Sequence, residues 1–319
     1  MIAVELESGT VSIREKPVPD RPPEFALLKT RVAGICNTDL ELQRGYYGFV
    51  GTPGHEFVAE VVEADSRSLV GKRVAGEINL ACGHCSFCAV GLARHCRNRT
   101  VLGIVKHPGA FAEFFTLPQQ NLHLIPDNVS DEEAVFVEPL AAACEILDQV
   151  SIPQDERVAV LGDGKLGLLI TQVLRTHGAH VTLYGHHSAH LAMAQRWGIE
   201  ASDSSERPLA EYQFVIEATG SGTGLRQAVA MTRPRGTIVM KSTIHGDLPI
   251  DTAPIIVNEI TLLGSRCGRF EPALDLLKHR QLDVRSMLAN EFALADAPKA
   301  FAEAAKPGVL KVLLRNEAP

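Results

Sequence analysis

The feature that most constrains the fold is an alternation of strand-like and helix-like segments that starts near residue 157. RVAVLG reads as a buried strand, and DGKLGLLITQVLRTHG follows it at helical period. HVTLYG and SAHLAMAQRWG repeat the pattern, and YQFVIEATG and GTIVMKST are two further strands. Strands that alternate with helices form a parallel sheet with helices on its faces. We therefore predict a doubly wound α/β domain over residues 131–266.

A glycine pattern stands at the first strand-to-helix turn of this region. Gly162, Gly164 and Gly167 have the spacing G-x-G-x-x-G, after a strand and before a helix. Such glycines permit a tight turn and bring backbone N–H groups close to a pyrophosphate at the helix N-terminus. We expect a dinucleotide site that includes these glycines, Lys165 and Leu166. A glycine turn without a ligand is the alternative.

The end of the second strand bears on which dinucleotide binds. NAD-binding units usually place an acidic residue there, against the adenine ribose. Here the strand runs into Gly185, His186 and His187, so we expect no carboxylate that would repel a 2′-phosphate. His186, His187 or Lys165 could donate to that phosphate. The sequence favours NADP over NAD, and use of both is the alternative because neutral histidine is a poorer phosphate partner than arginine.

Residues 1–130 differ from this region because short strand-like runs are separated by Gly, Pro and Asn. ALLKTRVAGI, FVAEVVEA, KRVAGEI and FAEFFTL are such runs. From about residue 267 the chain reads as helix, loop, helix and strand. We assign residues 1–130 and 267–319 to a second, β-rich domain.

One helical stretch, residues 131–149, begins the predicted α/β domain. Ser130 followed by Glu133 three residues later predicts its N-cap. The pair Glu138-Pro139 predicts a break inside it, because proline lacks the N–H that a helix interior needs.

Four cysteines lie in the sixteen-residue stretch ACGHCSFCAVGLARHC. Their spacing, C-x2-C-x2-C-x7-C, lets the thiolates converge on one ion, and four thiolates suit a structural zinc with no open position. Unconnected thiols, a labile disulfide pair and a DNA-binding finger are the alternatives. The net charge of −7 and the lack of a following basic helix count against the finger. We expect a zinc lobe at about residues 80–98, with the ligands Cys82, Cys85, Cys88 and Cys96.

Possible ligands of a second metal ion are spread along the chain. They are Cys36 in GICNTDLE, His55 in GTPGHEF and Glu138 in VEPLA. A cysteine, a histidine and a carboxylate on one zinc leave a position for water or substrate, which is the catalytic pattern. By spacing alone, each of these residues is more often a packed or hydrogen-bonded residue than a ligand.

Taken in chain order, these motifs resemble the zinc-dependent medium-chain dehydrogenase/reductase family, which includes alcohol, polyol, threonine and glucose dehydrogenases. The resemblance covers nearly the whole chain. It implies a GroES-like β-rich catalytic domain and a Rossmann NAD(P)-binding domain. It also implies a zinc-dependent enzyme, with one catalytic and one structural zinc, that transfers a hydride between an alcohol (a polyol, sugar or secondary alcohol) and NAD(P). The matching motifs are Cys36-x-Thr38-Asp39, Gly54-His55-Glu56, the cysteine lobe, Glu138-Pro139-Leu140 and the glycine pattern.

The resemblance implies a role for each matching residue of the catalytic centre. Cys36 and His55 would bind the catalytic zinc together with Glu138, which replaces a cysteine of some members and is typical of the polyol and sugar branch. Glu56 would be a ligand in some states or would lie beside the ion. Asp39 would accept a hydrogen bond from His55 and so orient its ring.

Three further positions follow from the same resemblance. Thr38 would pass the proton of the substrate hydroxyl outward. Glu41 stands where many members have a histidine that continues the proton relay. The relay would therefore run through Glu41, the cofactor ribose or water, or be absent. The alternative is that Glu41 is a solvated surface carboxylate. Thr219, in the stretch EATGS, would contact the cofactor.

Composition limits the partners of the chain. A pI of about 6.0 gives no basic face for nucleic acid or an anionic membrane. The N-terminus has no signal-peptide pattern, and no apolar run approaches the ~20 residues of a membrane span. We expect a cytoplasmic protein, where clustered cysteines hold metal more often than disulfides. The resemblance implies a homodimer or homotetramer with a small-molecule alcohol or carbonyl substrate.

Two other functions remain open at this stage. One is a zinc-free quinone or enone reductase on the same fold, which needs neither the Cys36/His55 pair nor the cysteine lobe. The other is a non-catalytic zinc-binding or interaction protein on a dehydrogenase scaffold, against which the complete set of expected ligands counts.

Overall fold

The structure, a computed structural model, describes residues 1–243 and 249–316. Its strands are β1 (Ile2–Glu7), β2 (Thr10–Glu15), β3 (Phe25–Gly34), β4 (Glu56–Glu63), β5 (Arg73–Gly76), β6 (Asn79–Leu80), β7 (Thr100–Leu102), β8 (Lys106–His107), β9 (Phe114–Pro118), β10 (Leu122–Leu124), β11 (Arg157–Leu161), β12 (His180–Gly185), β13 (Glu200–Asp203), β14 (Tyr212–Glu217), β15 (Thr232–Met240), β16 (Thr261–Gly264), β17 (Leu288–Ala293) and β18 (Lys311–Arg315). Its α-helices are α1 (Asn37–Gln43), α2 (Ser86–Ala89), α3 (Asp131–Ala134), α4 (Val137–Gln149), α5 (Lys165–His177), α6 (Ser188–Arg196), α7 (Gly224–Met231), α8 (Ala253–Val257), α9 (Phe270–Lys278) and α10 (Ala297–Ala304).

The chain divides into two compact units. The first takes in Met1–Glu138, Phe270–Arg280 and the chain from Met287 onward, and the second takes in Pro139–Arg269 and Gln281–Ser286. No helix in the described part of the chain has both the length and the apolar content that a membrane span requires.

The first unit is built on a seven-stranded sheet. Its strand order is β10-β5-β4-β3-β18-β17, and β9 also pairs with β3. Strand β3 runs antiparallel to β4, β9 and β18. Leu28, Val32, Val58 and Val61 are fully buried, so the middle of this sheet forms the core. This is the β-rich domain that the N-terminal runs predict.

The second unit has a six-stranded sheet in which every described pair is parallel. The strand order is β13-β12-β11-β14-β15-β16, with helices between the strands in sequence. Counted within the unit this is 3-2-1-4-5-6, the doubly wound order of a dinucleotide-binding domain. Val158, Ala159 and Val160 of β11 are fully buried, because helices cover both faces of a parallel sheet. The predicted fold class is confirmed.

The helical stretch at residues 131–149 is divided between the two units, with residues 131–138 in the first and 139–149 in the second, and its break differs from the prediction. Ser130 caps α3 as predicted, since its Oγ accepts the Glu133 N–H at 3.3 Å. However, α3 ends at Ala134 and α4 begins at Val137, so Pro139 lies in the first turn of α4, where a missing N–H costs no helical hydrogen bond.

Ion pairs explain why α3 joins the first unit rather than the predicted domain 131–266. Asp131 accepts hydrogen bonds from Arg31 Nε and Arg73 Nη1, each at 2.7 Å, and both arginines belong to the first unit. The unit boundary therefore falls after Glu138.

The C-terminal boundary also differs from the prediction, because Gln281–Ser286 returns to the second unit. The backbone N–H of Asp283 donates to Gln172 Oε1 at 2.7 Å, and Trp197 Nε1 donates to Asp283 Oδ2 at 2.9 Å. These bonds join the short segment to α5 and to the end of α6.

Candidate functional site

The four clustered cysteines converge in the first unit. One ligand atom from each of Cys82, Cys85, Cys88 and Cys96 lies within 4.8 Å of the others. The Sγ atoms of Cys85 and Cys88 are 3.5 Å apart, those of Cys85 and Cys96 are 3.7 Å apart, and those of Cys96 and Cys82 are 3.5 Å apart. A zinc–sulfur distance of about 2.3 Å requires edges of about 3.8 Å in a tetrahedral thiolate site. The residues present therefore fit one zinc ion.

The pKa values of the thiols in this lobe also favour the binding of a cation. The backbone N–H of Cys88 lowers the pKa of Cys85 to about 6. Removal from water, and then the hydrogen bond with Cys85, raise the pKa of Cys88 to about 11. Several thiolates in so small a volume repel one another, and a bound dication offsets that repulsion.

The register of β3 and β4 brings the two ligand motifs of the second centre together. Gly34, the last residue of β3, pairs with Glu56, the first residue of β4. Cys36 follows β3 as the N-cap of α1, and His55 directly precedes β4. One ligand atom from each of Cys36, His55 and Glu56 lies within 4.8 Å of the others. A thiolate, an imidazole and a carboxylate are donors of the type that a catalytic zinc uses.

Asp39 holds the two motifs in place. Its carboxylate is fully buried and accepts the Cys36 N–H at 2.8 Å and the Gly54 N–H at 3.2 Å. The Nδ1 atom of His55 is buried, 3.4 Å from Asp39 Oδ1, and among the described residues it has no hydrogen bond of good geometry. Burial opposes a charged imidazole, but Asp39 and then Cys36 outweigh it and hold the pKa of His55 well above its ordinary value. The pocket favours a positive charge.

Sequence reasoning missed Lys311, which donates from Nζ to Glu56 Oε2. Both side chains are 1% exposed. Burial opposes the ammonium charge, but Glu56, and then Cys36, hold the pKa of Lys311 above its ordinary value. The signal was present in LKVLL, because a lysine in a strand that is buried on both faces needs a partner.

The other predicted residues of this centre lie at different depths. Thr38 Oγ1 is 3.8 Å from Cys36 Sγ and is half-buried. Glu41 is 43% exposed and pairs with Arg44 at 2.5 Å, as the surface-carboxylate alternative requires. Glu138, in the first turn of α4, is half-buried and is outside the group of ligand atoms within 4.8 Å.

The glycine-rich turn of the second unit has the features of a dinucleotide cradle. Gly162 has a φ of 106°, which favours glycine, and a Cβ on Gly167 would lie 1.8 Å from Gly162 O. A Cβ on Gly164 would meet no described atom within 4 Å, so the start of α5 is open to a ligand. Lys165 and Leu166 form the first turn of that 13-residue helix. Backbone N–H groups there suit a pyrophosphate.

The premise behind the expectation of NADP is wrong. A carboxylate does lie at the end of β12, but it comes from Asp163 in the glycine-rich turn. Its Oδ2 accepts the N–H groups of His186 at 3.1 Å and His187 at 2.7 Å. Asp163 also forms a group of possible metal ligands with His187 and His190, but these backbone N–H donors already occupy Oδ2. Sequence reasoning considered only residues after the strand and so missed Asp163.

Thr219 is fixed by a second buried acid. Its N–H and its hydroxyl both donate to Glu217 Oε1, at 2.8 and 2.6 Å. Glu217 is 2% exposed at the end of β14, the strand beside β11. Thr219 therefore lies at the carboxyl edge of the sheet, which is where this fold binds nucleotides.

Comparisons with known proteins agree with this geometry. Residues 22–127 match the family model for the alcohol dehydrogenase GroES-like domain, and residues 166–279 match the model for zinc-binding dehydrogenase. Sorbitol dehydrogenase from Halalkalibacterium halodurans is 29% identical, with 98% of each chain covered. D-Altritol 5-dehydrogenase from Agrobacterium fabrum is 32% identical, with 82% of each chain covered.

A solved structure extends the likeness to the whole fold. A provisionally named zinc-binding dehydrogenase from Sinorhizobium meliloti 1021, bound to NADP, superimposes with a TM-score of 0.90, 30% identity and 98% of each chain covered. The chain belongs to the zinc-dependent medium-chain dehydrogenase/reductase family and is an NAD(P)-dependent alcohol or polyol dehydrogenase.

Proposed function

We propose that the chain oxidises a polyol or sugar alcohol, with one catalytic and one structural zinc ion. The grouping of Cys36, His55 and Glu56 within 4.8 Å is the observation that carries the proposal. Cys36 and His55 hold the catalytic ion. Glu138 would be their carboxylate partner, and Glu56, which already accepts a hydrogen bond from Lys311, would bind the ion only in some states or exchange with zinc-bound water. Cys82, Cys85, Cys88 and Cys96 hold the structural ion.

When bound, zinc supplies a Lewis acid that acidifies the substrate hydroxyl, and NAD(P) supplies the hydride acceptor. The chain itself positions the groups and moves the proton. Thr38 Oγ1, near Cys36 Sγ, takes the hydroxyl proton and passes it to water or the cofactor ribose. Glu41 is outside this path, because it pairs with Arg44 at the surface.

In the second unit, the open turn at Gly164 receives the pyrophosphate, with Gly162, Gly167, Lys165 and Leu166 around it. Gly185, His186 and His187 line the ribose end, and Thr219 lines the nicotinamide end. The names of the two curated relatives support a polyol substrate, and the carboxylate at position 138 agrees with them. We also propose a cytoplasmic homodimer or homotetramer.

The same observations count against the two alternative functions, a zinc-free reductase and a non-catalytic protein. A zinc-free reductase leaves the convergence of Cys36, His55 and Glu56 unexplained, and the four-cysteine lobe as well. A non-catalytic protein has no use for an open glycine turn at Gly164 combined with a complete ligand group.

The test combines zinc analysis with a substrate panel. Reduction of NAD⁺ and NADP⁺ is followed with polyols, aldoses, secondary alcohols and L-threonine, before and after chelation. We expect two zinc ions per chain and turnover of a polyol that chelation abolishes. Turnover that survives complete chelation would contradict the assignment of a catalytic zinc ion. A lack of turnover with every polyol, at full zinc content, would contradict the proposed substrate class.

A matched pair of histidine variants isolates the centre. His55→Ala should lose turnover and one zinc ion while keeping its fold and the other ion. His279→Ala, at an exposed histidine, should keep both ions and full turnover. Normal turnover in His55→Ala would contradict the assignment of the ligands.

A further inference from the structure

Gly185, at the end of β12, has no room for a side chain because Asp163 fills the space. A Cβ added to Gly185 would lie 2.4 Å from both Cβ and Cγ of Asp163, and 2.5 Å from Oδ2. Strands β11 and β12 are parallel neighbours, so the turns that follow them meet at one edge of the sheet. The Asp163 carboxylate therefore stands where a side chain at the end of the second strand would otherwise stand.

This carboxylate is held by the turn that leads into α6. Its Oδ2 accepts the His186 and His187 N–H groups, and its Oδ1 lies 3.1 Å from His187 Nδ1. Asp163 is 4% exposed. Burial opposes its charge, but the donors of His187 outweigh burial and hold the pKa of Asp163 below its ordinary value. The group is ionised at neutral pH.

The donors that Asp163 occupies are those that a 2′-phosphate needs. Backbone N–H groups at a helix N-terminus bind anions, and His187 is the N-cap of the nine-residue helix α6. In this fold the end of the second strand meets the adenine ribose. With Asp163 in place, these donors are taken and a negative charge is already present.

The side chains that were expected to attract the phosphate are also engaged. The His187 ring faces Asp163, and a ring nitrogen of His186 lies 2.8 Å from Ser204 Oγ. Asp203 pairs with Gly185 in the register of β12 and β13, but its carboxylate is exposed and accepts from Ser205, so Asp163 is the main source of charge here. A phosphate dianion at this position would meet like charge.

We propose that Asp163 determines the cofactor specificity, as a built-in anion that admits the ribose hydroxyls of NAD and excludes the 2′-phosphate of NADP. The inference rests on the proposed dinucleotide site. It reverses the expectation from the sequence, because the acid is supplied by the glycine-rich turn instead of the strand end.

Binding measurements without substrate test this inference. Wild type, Asp163→Asn and Asp163→Ser are titrated calorimetrically with NAD⁺, NADP⁺ and adenosine 2′,5′-bisphosphate. Wild type should bind NAD⁺ at least roughly tenfold more tightly than NADP⁺, and either variant should shift that ratio toward NADP⁺ by about tenfold or more. Adenosine 2′,5′-bisphosphate should bind measurably tighter to the variants than to wild type.

Asp203→Asn is the matched control, because it removes an exposed carboxylate close by and should shift the ratio much less. Asp163→Asn keeps the size of the side chain that packs against Gly185. It therefore still tests the inference if Asp163→Ser, with its smaller side chain, fails to fold. A wild-type preference for NADP⁺, an unchanged ratio in both Asp163 variants, or an equal shift in Asp203→Asn would overturn the inference alone. Failure of wild type to bind either dinucleotide would instead overturn the proposed site, and the inference with it.

Discussion

Lys311 and Glu56 form a buried ion pair in the β-rich unit although 255 residues separate them in the chain. Lys311 opens β18 and Glu56 opens β4, and both strands pair with β3. The Lys311 Nζ also lies 5.4 Å from the centre of the Phe136 ring. The pair places one fixed positive charge beside the Cys36 and Asp39 side chains, so the centre is not simply a cluster of acids.

Replacing Lys311 by Met should destabilise the protein by about 3–5 kcal/mol, because Glu56 is left buried without its partner. The measurement is urea unfolding of the zinc-loaded protein at pH 7. The double variant Lys311→Met/Glu56→Gln should recover part of the loss. Lys299→Met, which breaks an exposed pair with Asp296, should cost at most about 1 kcal/mol. Equal losses at the two lysines would contradict this account of the pair.

Thr38→Ala should lower kcat by about 10²–10⁴-fold, because the hydroxyl that takes the substrate proton is lost. Thr38→Ser keeps that hydroxyl and should retain most of the activity. Zinc content should be the same in both variants. A loss of zinc in parallel with activity would show that Thr38 acts on the Cys36 ligand instead of the proton.

Cys85→Ser should reduce the zinc content from two ions per chain to one, because four thiolates are needed to close the structural site. Zinc analysis and a thiol titration of the native protein measure this. Cys144→Ser is the control, since burial raises the pKa of Cys144 to about 12 and the residue is a member of neither ligand group. Two ions retained in Cys85→Ser would exclude a closed four-thiolate site.

Gly164→Ala and Gly167→Ala should fail in different ways. A Cβ on Gly167 would lie 1.8 Å from Gly162 O, so Gly167→Ala should lower the free energy of unfolding by at least about 1–3 kcal/mol. A Cβ on Gly164 would meet no described atom within 4 Å, so Gly164→Ala should fold with less than about 1 kcal/mol of loss. It should nevertheless bind NAD⁺ at least roughly tenfold more weakly, because the methyl group enters the space of the pyrophosphate. Unchanged binding by Gly164→Ala would place the pyrophosphate elsewhere.

Asp283 should contribute stability that disappears in acid. Burial opposes its charge, but hydrogen bonds from Ser286, and then from Trp197, hold the pKa of Asp283 below its ordinary value. Because the folded-state pKa is the lower one, the contribution is full above about pH 4 and is lost as the pH falls through the folded-state value. Asp283→Asn should cost about 0.5–1 kcal/mol at pH 7, and the gap to wild type should close in acid. The emission of Trp197, the only tryptophan, follows the unfolding. A gap that does not change with pH would assign the cost to packing.

Local patterns along the chain predicted much of this protein. The alternation after residue 157 predicted a parallel sheet, because strand and helix periods are properties of short segments. The Ser130 cap and the convergence of Cys82, Cys85, Cys88 and Cys96 also depend on residues that are close in sequence. The Cys36/His55/Glu56 group was expected only from the family resemblance, since nothing in its spacing sets the pairing of β3 with β4.

Tertiary structure alone decided the relationships between distant side chains. The partner of Glu56 is Lys311, which lies in β18, the last described strand. The carboxylate beside Gly185 belongs to Asp163, in the turn before α5, so the whole of that helix separates the two residues in the chain. The prediction that no carboxylate lies at the end of β12 was wrong because it considered only the residues that follow this strand in the sequence. The physical reason is the same in both cases: a buried charge requires a partner, and strand pairing, which acts across the sheet, determines which residue comes within reach.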